Sequence, residues 1–128
     1  MEVTKLMLDT NILIYATSNN PPEIFARLEK FRKEEIVISS IVWAEYCVGI
    51  HKFKINSSSI EKLIDILPFD ADAGNTYGML TAQHPDRANG FDRLIAAHAI
   101  AAGVKLITNN PGDFAPYLED GLAVENWV

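Results

Sequence analysis

The stretch Asn89-Gly90-Phe91-Asp92-Arg93-Leu94-Ile95-Ala96-Ala97-His98-Ala99-Ile100, continuing through Ala101-Ala102-Gly103 into Val104-Lys105-Leu106-Ile107, carries the plan of the fold. Small apolar residues at helical spacing predict a helix that ends at Gly103, where a glycine commonly closes a helix, and the short apolar run behind it predicts a buried strand. That strand stops in a polar cluster, Thr108-Asn109-Asn110-Pro111-Gly112-Asp113. One residue is out of place. At about 100° per residue, Asp92 shares a face with Ile95, Ala96 and Ala99, the face such a helix buries, and a buried charge is costly unless something pairs with it.

The rest of the chain repeats this alternation. Lys5 to Leu8 reads as a strand that ends at the polar switch Asp9-Thr10-Asn11, before a short helix through Ile12, Leu13, Ile14 and Tyr15. After the breaker Asn19-Asn20-Pro21-Pro22, a helix begins at Pro22 and runs to about Lys33 with Ile24, Leu28 and Phe31 as its stripe. Glu35 to Ser39 is a second strand. Ser39 or Ser40 caps a helix from Ile41 to about Ile50, and its stripe of Ile41, Val48 and Gly49 also contains Glu45, a second carboxylate on an apolar face. Ser58 and Glu61 form a capping box for a helix to about Leu67, and Pro68-Phe69 reads as a brief strand. Ala71 to about His84 is a helix weakened by Gly74 and Gly78, and Leu122 to Trp127 closes the chain as an edge strand.

Strands alternating with helices predict the α/β class, a single domain over residues 1–128 with a parallel sheet of about four to five strands between two helical layers. Sites in such sheets lie beyond the carboxyl ends of the strands, near the point where the strand order reverses. Asp9 and Asp113 fall just after such ends, and Glu45 and Asp92 sit on helices able to lean over the same edge.

Composition narrows the function classes. With 48% hydrophobic and 22% charged residues the chain is ordinary for a globular protein. No apolar run approaches the roughly 18 residues of a membrane span and no signal-peptide pattern opens the chain, so the expectation is a cytoplasmic protein without a membrane partner. The lone Cys47 excludes an internal disulfide framework and a cysteine-built zinc site. A net charge of −6 argues against nucleic-acid binding by bulk electrostatics. It does not argue against a nuclease whose acids are gathered around cations. Two basic clusters, Lys30 with Arg32 and Lys33, and His51 with Lys52 and Lys54, read as solvated helix faces, although they could flank a phosphate backbone.

Each of the four acids has an ordinary explanation taken alone. Asp9 could cap a helix, Asp92 could face a helix dipole, Glu45 could pair with Arg27 or Arg93, and Asp113 could be a turn residue. Capping does not explain carboxylates on apolar stripes, and such departures are expected at functional sites. Hard divalent cations such as Mg²⁺ or Mn²⁺ take carboxylate oxygens, and one or two of them can activate water and stabilise the leaving oxygen in displacement at phosphorus. Metal-free ribonuclease chemistry would need a histidine pair, whereas His51, His84 and His98 are scattered, with His98 reading as a packing residue that has a satisfied hydrogen bond. A phosphotransfer receiver is excluded by the absence of an acid pair at the first strand's exit.

Four segments taken in order, Leu8-Asp9-Thr10-Asn11, Ile38-Ser39-Ser40-Ile41-Val42-Trp43-Ala44-Glu45, Phe91-Asp92-Arg93-Leu94-Ile95-Ala96-Ala97-His98-Ala99 and Thr108-Asn109-Asn110-Pro111-Gly112-Asp113-Phe114, closely resemble the PIN-domain nucleases. Within them the chain looks like the VapC-type toxins of toxin–antitoxin modules, and the ending Val124-Glu125-Asn126-Trp127 extends the resemblance over nearly its whole length. The resemblance implies a three-layer PIN-like fold and an endoribonuclease dependent on Mg²⁺ or Mn²⁺, with one or two ions. It implies that Asp9 and Asp92 are direct ligands, that Glu45 holds a ligand or a metal-bound water, and that Asp113 completes the pocket. Asn11, Thr108 and Asn109 match polar positions that orient those carboxylates. Also implied are an RNA substrate, a VapB-like antitoxin and a homodimer, with Phe25, Trp43, Tyr46 and Phe53 as candidate antitoxin contacts that core packing would equally explain. The competing expectation is an inactive acidic-pocket protein that sequesters a partner.

Overall fold

The computed structural model describes residues 5–18, 21–53, 64–85 and 90–128. The elements are β1 (Leu6–Leu8), α1 (Thr10–Ser18), α2 (Pro22–Leu28), β2 (Ile36–Ser39), α3 (Ser40–Phe53), β3 (Asp65–Leu67), α4 (Ala71–Gln83), α5 (Phe91–Ala102), β4 (Lys105–Thr108) and β5 (Ala123–Asn126). Short 3-10 segments lie at Lys33–Glu35 and Pro111–Asp120. The five strands form one sheet in the order β3-β2-β1-β4-β5, and every pairing is parallel. Successive strand residues point to opposite faces, and Met7 and Leu8 are both 0% exposed, so both faces of the sheet are covered and the molecule has three layers.

Register places the site. Leu8 pairs with Ile38 on one side and Ile107 on the other, so β1, β2 and β4 end level with one another. The chain builds outward from β1 through β2 to β3, then returns to the other side of β1 with β4 and β5. The strand order therefore reverses beside β1, and the carboxyl end of β1 is the switch point at which this architecture opens a crevice. Asp9 is the next residue, and its backbone N–H extends the ladder to the Ile107 carbonyl at 3.0 Å.

Several elements depart from the sequence pattern. Helix α2 stops at Leu28, because Lys30 and Phe31 tighten into turns on the Arg27 and Leu28 carbonyls, and Glu35 then caps the separate turn that leads into β2. The third strand is Asp65–Leu67, not Pro68-Phe69, and it occupies the end of the predicted helix to Leu67, where pairing of Val37 with Asp65 and Ser39 with Leu67 overrides local helical preference. The capping box at Ser58 and Glu61 and the rest of that helix lie outside the described residues. The buried line of α3 is Val42 and Tyr46, while Val48 is 66% exposed, so Glu45 flanks the buried face instead of lying on its centre. Ser39 Oγ accepts from the Ile41 N–H at 3.0 Å at the start of α3, and the Asp70 carboxylate caps α4 through the Ala73 N–H at 3.0 Å.

Helix α5 ends at Gly103 with φ 67°, and beyond its first turn it is buried all round at Ile95, Ala96, Ala97, His98 and Ala99. His98 is a packing residue, with Nδ1 2.7 Å from Ser39 Oγ and the Phe69 ring edge-on at 5.5 Å. Asp92 shares the direction of the buried Ile95, Ala96 and Ala99 but is itself exposed in the first turn, and the charged side chain inside is Arg93, 1% exposed. Among the described residues, no helix is long and apolar enough to cross a membrane.

Candidate active site at the carboxyl edge of the sheet

Asp9 is the buried member, 7% exposed, and each oxygen has a partner. Oδ1 accepts from the Ile12 N–H at 3.0 Å, which caps α1, and Oδ2 accepts from the Thr108 hydroxyl at the end of β4. Burial pushes the Asp9 carboxyl above the ordinary value, the nearby charge of Asp92 adds to this, and the Thr108 and Ile12 hydrogen bonds oppose it. Glu45 comes from α3 and is half-buried, with Oε1 accepting from the Thr10 hydroxyl at 2.7 Å. Burial raises Glu45 as well, against the Thr10 hydrogen bond, and the charges of Asp92 and Asp9 push the same way.

Asp92 stands in the first turn of α5, where the helix N-terminus favours negative charge. It is open to solvent on one side, yet the protein around its carboxyl and the charge of Asp113 together raise it. Asp113 is exposed on the 3-10 segment after β4, and Asn110 Nδ2 donates to its Oδ2 at 2.8 Å. The four acids thus reach one edge from β1, α3, α5 and the segment after β4, with Asp92 acting on both Asp9 and Glu45 and Asp113 acting on Asp92. Among the described residues, none of the four is in an ion pair with a lysine, arginine or histidine. Arg27, weighed from sequence as a partner for Glu45, instead pairs with Glu125 at 3.5 Å and lies over the Trp127 ring.

The surrounding polar side chains divide. Thr108 reaches Asp9 directly and accepts from the Asn110 N–H at 3.0 Å. Asn11 and Asn109 bond to each other, Nδ2 to Oδ1 at 3.3 Å, and Asn109 Nδ2 donates to the Tyr15 hydroxyl at 3.1 Å. That pair bridges α1 to the end of β4 beside the carboxylates. Thr10, Tyr15 and Asn110 are site residues the sequence reading passed over. Thr10 carried a signal, since it stands between Asp9 and Asn11 at the polar switch; Tyr15 looked like an ordinary stripe residue.

The donor set is all hard oxygen with excess negative charge, which suits a divalent cation such as Mg²⁺ or Mn²⁺. Among the described residues, no three acidic, histidine or cysteine side chains are grouped tightly enough to hold an ion by themselves. Mg²⁺ fits that arrangement, because it is usually bound through one or two carboxylates and keeps several waters. A Zn²⁺ site of nitrogen and sulfur ligands does not fit, since the edge presents neither.

Comparison with known proteins agrees with the geometry. The profile described as PIN domain matches residues 6–115. The chain is similar to Ribonuclease VapC2 of Rickettsia felis, 37% identical over 94% of this chain and 96% of that one. It is similar to the tRNA(fMet)-specific endonuclease VapC of Shigella flexneri, 34% identical over 96% of this chain and 98% of that one. Among solved structures, VapBC2 from Rickettsia felis bound to a DNA fragment from its promoter superposes with a TM-score of 0.84 at 32% identity, covering 98% of this chain and all of that one, 100%.

Proposed function

The chain belongs to the PIN-domain family, and from that premise we propose that it is a divalent-metal-dependent endoribonuclease and the toxin of a toxin–antitoxin pair. The observation that carries the reading is the convergence of Asp9, Glu45, Asp92 and Asp113 on the switch-point edge without a basic partner among the described residues. Such an arrangement is electrostatically unfavourable by itself and becomes favourable around a cation.

Asp9 and Asp92 would hold the ion, with Glu45 and Asp113 facing its water ligands. When bound, the ion supplies charge neutralisation at the phosphate and acidifies water. The protein's own contribution is placement. Asp9 is fixed at both oxygens, by the Ile12 N–H and the Thr108 hydroxyl. Glu45 is turned by Thr10 so that its second oxygen remains to accept a proton from the attacking water, and its raised pKa brings it nearer to the range useful in a base. Water adds to phosphorus in line, the bond from phosphorus to the 3′ oxygen breaks, and that oxygen takes up a proton from solvent to leave as a hydroxyl. The products are therefore a 3′-hydroxyl and a 5′-phosphate.

A VapB-like protein is the partner, by analogy with the VapBC complex the fold matches. Ile14, Phe25 and Val48, exposed on α1, α2 and α3, are apolar surface of the kind an amphipathic segment covers. Tyr46, in contrast, belongs to the core, and the side chain of Phe53 lies outside what is described.

The test is RNA cleavage by purified protein with Mg²⁺ or Mn²⁺, with chelator, and with Asp92→Asn. The expected result is 5′-phosphate ends, and a loss of more than about a hundredfold both in chelator and in the variant. Cleavage that survives chelation, or that leaves a 2′,3′-cyclic phosphate, overturns the proposal.

A further inference from the structure

Among the described residues, Arg93 is the one arginine or lysine with a fully buried side chain, and it sits next in sequence to Asp92. A guanidinium taken out of water is costly unless its N–H groups are matched, and a leucine or isoleucine would serve a buried helix position with no such demand. Partners on two other elements supply part of that matching. Nε donates to the Tyr117 hydroxyl at 3.2 Å, one terminal nitrogen to Thr81 Oγ1 at 3.3 Å, and the other to the His84 carbonyl at 3.1 Å. Thr81 is in the last turn of α4 and His84 is its C-cap, where exposed carbonyls attract positive charge. Tyr117 belongs to the 3-10 segment Pro111–Asp120 that carries Asp113. The His84 ring ties the same two elements again, with Nε2 2.8 Å from Asp120 Oδ2 and an edge-on contact to the Tyr117 ring at 5.2 Å.

Neighbouring helix residues diverge by about 100°, so anchoring Arg93 inward fixes the direction in which Asp92 leaves the first turn of α5. The same guanidinium fixes the segment that bears Asp113. We propose that Arg93 is a positioning residue for the metal site, locking α4, the first turn of α5 and the 3-10 segment into one register so that Asp92 and Asp113 converge. This rests on the reading that the acidic edge holds a divalent ion. It assigns to the α4–α5 junction the supporting role that Thr108 has on the Asp9 side. Lysine cannot replace the fork, because a single ammonium on a flexible stem does not span the Tyr117 hydroxyl and the His84 carbonyl with fixed geometry.

The experiment measures Mn²⁺ binding to the whole chain, by the electron paramagnetic resonance signal of free Mn²⁺, alongside thermal unfolding. Arg93→Lys is expected to weaken Mn²⁺ binding about tenfold, as loss of an outer-layer partner does, and Tyr117→Phe to weaken it by a smaller factor. The double variant is expected to be no worse than Arg93→Lys, since both remove the same link. An Arg93→Lys protein that melts earlier yet binds Mn²⁺ within about twofold of the parent would show a structural residue only. Should Arg93→Lys fail to fold, Tyr117→Phe and Thr81→Val, which remove one acceptor each and no charge, carry the same expectation, and unchanged Mn²⁺ affinity in both overturns the role. Separately, parent protein without Mn²⁺ binding that Asp92→Asn abolishes brings down the metal site itself, and the positioning role with it.

Discussion

Thr108 uses its hydroxyl twice, accepting from the Asn110 N–H at 3.0 Å and donating to Asp9 Oδ2, so it joins the end of β4 to the acid at the end of β1. Its donation is among the influences that hold the Asp9 carboxyl down against burial. Thr108→Val removes that donor while keeping the shape, and leaves the Asp9 oxygen and the Asn110 N–H each without this partner. Stability should fall by about 1–3 kcal/mol, the usual effect of stranding buried polar groups. The Asp9 carboxyl should rise further, so Mn²⁺ binding followed against pH should require a higher pH than in the parent, and Thr108→Ser should restore it. An unshifted binding midpoint in Thr108→Val would mean that Thr108 does not tune Asp9. At this scale the sequence posed a false choice for Asp9 between helix cap and ligand. One oxygen caps α1, and a carboxylate oxygen has a second lone pair, so the cap does not close the site.

Helix α5 shows what one element discloses and what it hides. Its extent and its closing glycine follow from small apolar residues and Gly103, since both are local properties. The burial of Asp92 was overestimated because the 100° wheel treats a helix as buried along its whole length. The first turn of α5 stands out at the sheet edge, so the residue that turns inward there is Arg93 and not Asp92. Strand β3 escaped for a different reason, because Asp65–Leu67 has no alternating pattern and is a strand only through β2. Gly103, with φ 67° and open space where a Cβ would project, isolates the backbone term in α5. Gly103→Ala should cost about 1 kcal/mol from the left-handed conformation alone, and lower Tm by a few degrees for a chain of this size. Cleavage below the transition should stay at the parent rate, because Gly103 is at the opposite end of α5 from Asp92. A drop in rate without a drop in Tm would show that the helix transmits the change to the site.

Across the whole molecule, the fold was legible because parallel alternation constrains topology, and the candidate site because four acids fall at the edge where that topology reverses. What stayed hidden is the set of contacts around the acids, Thr10 to Glu45 and Arg93 to Tyr117, since they join residues 35 and 24 positions apart. The acids also set how stability responds to pH and metal. Asp9, Glu45 and Asp92 all have carboxyls raised in the folded state. Between the ordinary carboxylate value and the raised one the folded chain binds more protons than the unfolded chain, so without metal these groups lose stability as pH rises through that interval. Most of the loss comes from buried Asp9, because solvent screens Asp92. Under the proposed function, a divalent ion bound to the ionised cluster would reverse the sign at neutral pH, and at a hundredfold excess over its Kd such a ligand adds about 2.7 kcal/mol. Calorimetry should therefore find Tm rising with Mg²⁺ at neutral pH and the rise shrinking on acidification, as protons compete for the same oxygens. In Asp92→Asn the Mg²⁺ response should vanish, while the metal-free Tm at neutral pH should equal or exceed that of the parent. An Asp92→Asn protein that still gains stability from Mg²⁺ as the parent does would place the ion elsewhere.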